Sequence, residues 1–145
     1  MKDVTISVKG LLGVDKNGDD IELNTSGTYD YSEDEVSFTY LESELTGLEG
    51  SVTTFTVSGS SVTITREGTV SMQMLFEEGR QNHFSYNTPY GSIMMSVDTQ
   101  SIEYDFNEKG GALRVDYVLD MQREVAFKTA FTVDIKEYSD DDEHD

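Results

Sequence analysis

Cysteine and tryptophan are absent from this 145-residue chain, proline occurs once and histidine twice. Without thiols there is no disulfide framework, no thiolate nucleophile and no iron–sulfur site. The two histidines, His83 and His144, are far apart in sequence, so a zinc or similar transition-metal centre lacks its usual ligands. Basic residues are also scarce. Ten Lys and Arg stand against 29 Asp and Glu, a formal net charge of −19. That field repels nucleic-acid phosphates and anionic lipid headgroups, which argues against both as partners. No apolar run approaches the roughly 20 residues that span a bilayer. The opening Met1-Lys2-Asp3-Val4-Thr5 lacks the basic and apolar segments of a leader, which points to a cytoplasmic location.

What the chain does have is alternation. In a strand, successive side chains point to opposite faces, so apolar residues at every second position line one face. Phe127, Thr129, Phe131, Val133 and Ile135 show it most cleanly, followed by Leu113, Val115, Tyr117, Leu119 and Met121. The same pattern holds for Val4/Ile6/Val8, Val36/Phe38/Tyr40, Val70/Met72/Met74/Phe76 and Ile102/Tyr104/Phe106. Between these runs stand Asn17-Gly18, Ser58-Gly59-Ser60, Glu78-Gly79-Arg80 and Asn107-Glu108-Lys109-Gly110-Gly111, residue types that favour tight hairpins. The lone Pro89 also falls at such a junction, where its missing N–H does no harm.

These runs predict an all-β protein, a single antiparallel up-and-down barrel of about 8–10 strands. A Greek-key sandwich is the alternative. The barrel domain is expected over 1–137, followed by a disordered acidic tail over 138–145 whose like charges cannot be buried. Phe, Tyr and Met are numerous enough on the inward faces to fill a barrel, and a cavity is not required.

The stretch Tyr40-Leu-Glu-Ser-Glu44 departs from the pattern. If Val36, Phe38 and Tyr40 point inward, period two puts Glu42 and Glu44 on the same face. A buried carboxylate costs several kcal/mol unless it is paired or hydrogen-bonded. Arg66 continues the inward face of Val62 and Ile64 on the strand next but one, which makes it the expected partner of Glu42 or Glu44. Tyr86 and Tyr117, also inward, are candidates to supply hydroxyls, and Tyr90 stands beside Pro89 at the same end.

Taken together, Glu42-Ser-Glu-Leu-Thr-Gly-Leu-Glu-Gly50, Arg66-Glu-Gly68, Met74-Leu-Phe76, Thr88-Pro-Tyr-Gly91 and Gly111-Ala-Leu-Arg-Val-Asp-Tyr117 make the chain resemble the YwiB-like family of uncharacterised bacterial proteins. The resemblance runs from about Val4 to Lys136. It implies a calycin-like, lipocalin-type barrel and brings no activity with it. The Gly-X-Trp motif of lipocalins proper is missing, so ligand habits do not transfer with the fold.

Other chemistries find little support. Asp15-Lys-Asn-Gly-Asp-Asp20 looks like a calcium loop, but Gly18 falls at position four, Asp20 at six, and Ser26 where the bidentate Glu belongs. It reads as a polar hairpin. No serine sits in a Gly-X-Ser-X-Gly elbow, and no phosphate-binding glycine loop is present. No cofactor or metal is expected.

The leading reading is therefore a non-enzymatic binding module. Its barrel mouth, lined by Glu42, Glu44, Arg66, Tyr86, Tyr90 and Tyr117, would take a small amphipathic or anionic ligand, with Arg66 orienting the anion. Phe38, Met72, Met74 and Phe84 would contact its apolar part. The alternatives are a filled barrel acting through its surface or tail, and an enzyme using Glu42 and Glu44 as acid and base.

Overall fold

A computed structural model describes residues 2–14, 20–42, 50–68, 70–121 and 127–137. Ten strands follow one another: β1 (Lys2–Val14), β2 (Asp20–Tyr31), β3 (Val36–Leu41), β4 (Val52–Ser58), β5 (Ser61–Glu67), β6 (Met72–Glu77), β7 (Gln81–Thr88), β8 (Gly91–Asn107), β9 (Gly110–Met121) and β10 (Phe127–Glu137). They form one antiparallel sheet in the order β6-β5-β4-β3-β2-β1-β10-β9-β8-β7, a meander with β1 paired to β10. The up-and-down topology is thus realised and the sandwich is not. Among the described residues no helix is long and apolar enough to cross a membrane.

The terminal strands of the sheet, β6 and β7, meet and nearly close the barrel. Ser71 and Asn87 exchange two backbone hydrogen bonds at one end of this seam, at 3.0 and 2.9 Å. Lower down, the β6–β7 turn docks on β8: Gly79 N–H donates to Thr99 O (2.9 Å) and Thr99 N–H to Arg80 O (3.0 Å). Near-closure in this way shortens the unpaired edges that invite aggregation. The turns at Gly59, Gly79, Pro89 and Glu108–Lys109 fall where the hairpin signals stand. The Asn17-Gly18 turn, the Asp15–Asp19 part of the calcium-like loop and the 138–145 tail lie outside the described residues.

Along these runs the alternating residues face inward, apart from Met121 and Phe127, whose side chains lie outside the described ones. Val4, Ile6, Val8, Phe55, Val62, Ile64, Phe76, Val97, Val115 and Val133 are completely buried. Rings from strands that are not sheet neighbours meet across the lumen. Phe55 of β4 lies 6.0 Å from Phe131 of β10, and Phe76 of β6 lies 5.6 Å from Phe131 and 5.1 Å from Tyr117 of β9. Contacts at those separations fill the middle of the barrel with carbon. Phe38, Met72, Met74 and Phe84 belong to this same core, and Phe38 stacks on Phe55 at 4.8 Å.

One inward assignment needs correction. Tyr104 is 43% exposed, although Ile102 and Phe106 beside it pack on the core. The register of β8 against β9 shifts between Thr99 and Ser101, and beyond that bulge β8 pairs, among the described residues, with β9 alone. The 17-residue strand therefore overhangs the end of the barrel, where Tyr104 donates its hydroxyl to Gly59 O at 2.7 Å. Phe106 on the same overhang reaches Tyr29 and Phe38, each at 6.2 Å, and Tyr29 donates to Asn107 O at 2.7 Å. That end is sealed by aromatic rings.

The buried phenols make the fold sensitive to alkali. Burial pushes the Tyr117 hydroxyl from 10.0 up to about 12, and burial together with neighbouring Tyr31 does the same for Tyr29. Because the neutral form is favoured in the folded chain, this stability is complete below the unfolded value and is lost as pH rises from about 10 to about 12. Tyrosinate absorbance and circular dichroism followed together should show these phenols ionising with the loss of sheet. Their ionisation near pH 10 in an intact barrel would contradict the packing described.

Candidate functional site

The opposite end of the barrel is polar. It carries the β3–β4, β5–β6 and β7–β8 connections, and the inward faces of three strands run out there. Tyr40, Thr53, Arg66 and Met72 are successive cross-strand partners on β3, β4, β5 and β6, so they form one inward-facing row. Glu42 lies two residues past Tyr40, and its N–H donates to Ser51 O at 2.8 Å, which carries the β3–β4 ladder one step further. Period two then turns Leu41 and Val52 outward, 64% and 41% exposed, and Glu42 and Ser51 inward, 3% and 0% exposed.

Two glycines allow this crowding. Gly68 has φ +137, and a Cβ there would collide with Gly50 O and lie 2.7 Å from Ser51 Cα. Gly50 has φ 92, a conformation that L side chains rarely adopt. The end of β5 can therefore lie against the start of β4, and Val70 N–H reaches Ser51 Oγ at 3.3 Å.

Within the row, Arg66 and Glu42 form an ion pair. Arg66 Nη2 donates to Glu42 Oε2 at 3.2 Å, with side-chain exposures of only 6% and 0%. Thr53 joins the two residues: its hydroxyl donates to Glu42 Oε2 and accepts from Arg66 Nε at 3.1 Å. Hydrogen bonding of this kind offsets the desolvation that would otherwise make a buried pair costly.

The network is incomplete at two atoms. Among the described residues, neither Glu42 Oε1 nor the Tyr40 hydroxyl has a hydrogen-bond partner, although both are buried. Burial raises the Tyr40 pKa well above the ordinary tyrosine value, and the Glu42 charge adds to the rise. Arg66 and Thr53 lie near enough to oppose that rise, but neither meets the hydroxyl in hydrogen-bond geometry. Buried polar atoms without partners are uncommon, and each calls for a physical explanation.

Of the residues singled out in the sequence, the structure brings Glu42 and Arg66 together. Glu44 lies outside the described residues. Tyr86 packs against the core, and Tyr117 is enclosed by Phe76 and Phe131; neither hydrogen-bonds to the pair. Tyr90 sits on the β7–β8 turn, 98% exposed. Thr53 and Tyr40 are the members that sequence reasoning left out of the site. The signal for Thr53 was its place on the Thr53/Phe55/Val57 face, a hydroxyl in register with core residues. No group of three or more metal-ligating side chains occurs among the described residues.

Residues 6–133 match the domain family described as "Domain of unknown function (DUF1934)". The chain belongs to this family. It is 28% identical over 114 residues to the uncharacterized beta-barrel protein YwiB of Bacillus subtilis (strain 168), an alignment covering 79% of each chain. The crystal structure of the YwiB protein from Bacillus subtilis superposes with a TM-score of 0.81 at 25% identity, covering 95% of this chain and 93% of that one. In this DUF1934 chain the match takes in the whole Tyr40–Arg66 row.

The buried pair makes a specific stability prediction. Arg66→Ala leaves Glu42 buried without its cation and should destabilise the barrel by about 3–5 kcal/mol. Replacing both partners with apolar residues, Glu42→Leu with Arg66→Met, should recover most of that loss. Urea unfolding of the three chains measures it. A double variant no more stable than Arg66→Ala alone would show that the pair contributes more than mutual neutralisation.

Proposed function

We propose that this protein is a non-enzymatic binding module that takes a small molecule at the polar end of its barrel, beside Glu42 and Arg66. The observation that carries this reading is the incomplete network. Evolution of a buried ion pair toward stability alone would satisfy both carboxylate oxygens, whereas a binding site keeps an acceptor and a hydroxyl for its ligand. The aromatic rings that cross the lumen restrict the site to the rim, so the ligand is small or enters by one end only. An acid–base pair finds less support, since Glu42 Oε2 is already engaged by Thr53 and Arg66.

A second reading, a filled barrel that acts through its surface, is favoured by the β7–β8 hairpin. There Tyr90, Ile93 and Met94 are 98%, 45% and 50% exposed. Native mass spectrometry of the purified chain separates the two readings. A retained ligand predicts a reproducible excess mass that disappears under denaturing conditions and is missing from Tyr40→Phe. A bare mass that stays bare after incubation with metabolite extract would favour the surface reading.

A further inference from the structure

Resting on the binding reading above, we infer that the ligand presents a neutral hydroxyl group to Glu42 Oε1 and the Tyr40 hydroxyl, so its class is a small alcohol or polyol. The inventory of donors and acceptors supports this. A carboxylate oxygen only accepts, so Glu42 Oε1 requires a donor. A buried phenol proton requires an acceptor. A hydroxyl supplies both, donating to Glu42 and accepting from Tyr40.

Charge decides against the other classes. Glu42 and Arg66 cancel each other, 3.2 Å apart in a site with side-chain exposures of 0% and 6%. A charged ligand added there leaves one unbalanced charge in a low-dielectric site, which is costly. An anion would in addition face the unpartnered carboxylate oxygen and a chain of net charge −19. A cation drawn to Glu42 meets the guanidinium bound to the same carboxylate. A neutral hydroxyl disturbs none of this, and buried Val70 and Met72 at the same end offer its carbon skeleton an apolar wall.

The test is an NMR titration of the unmodified chain, reading the Arg66 Nε–H signal and the Glu42 and Thr53 amides. Glycerol, acetate and methylammonium are the probes, at matched ionic strength. The expected result is a saturable shift with glycerol, at least tenfold tighter than with either ion, and loss of that shift in Tyr40→Phe. A saturable shift with acetate or methylammonium but not glycerol overturns the inference and leaves a binding site standing. No saturable shift with any probe removes the inference and the binding reading together. A glycerol shift that persists unchanged in Tyr40→Phe also overturns it, and the Tyr40→Phe unfolding midpoint shows that the variant is folded. The three-probe comparison needs no variant.

Discussion

An ion pair buried at one end of an otherwise apolar barrel is the constraint on which the rest of the site depends. Glu42, just past β3, and Arg66 of β5 are separated by β4, and among the described residues Thr53, on β4 itself, bridges them. The arrangement fixes register across three strands, because a slip of one residue would turn each of these side chains outward. It also explains the glycines at 50 and 68: Gly68 lets backbone approach where a Cβ would not fit, and Gly50 takes a positive φ that L side chains rarely adopt. Removing any one member leaves a buried polar group with fewer partners than it needs.

The two ends of the barrel solve different problems. At one, the β8 overhang carries Phe106 over Tyr29 and Phe38 and closes the lumen with rings. At the other, the inward faces run into Glu42, Ser51, Thr53 and Arg66, all buried and all polar. Phe55, Phe76, Phe131 and Tyr117 separate the two ends. These rings fill the lumen where a hollow barrel would have a deep calyx.

Much of this was legible because strand parity is a strong code. Counting by two from Phe38 places Glu42 and Glu44 inside, counting by two from Ile64 places Arg66 inside, and a pair between Arg66 and one of the two follows from the cost of leaving a buried charge alone. Parity says nothing of how far a strand travels. The bulge near Gln100 and the overhang beyond it are set by contacts with the β6–β7 turn, distant in sequence, which is why Tyr104 was placed in the core. Nor does parity give height along the barrel axis: Tyr117 shares the inward face with Arg66, yet its ring sits among Phe76 and Phe131. Thr53 does not stand out in the sequence because a threonine in a strand is ordinary, and its role comes from standing between two charges.

The central claim is that Glu42 Oε1 and the Tyr40 hydroxyl are held for a group from outside the chain. A high-resolution crystal structure of the protein grown with glycerol tests this most directly. The account predicts electron density larger than a single water, placed within hydrogen-bond reach of both atoms. Density showing both atoms bonded to other groups of the chain itself would contradict it.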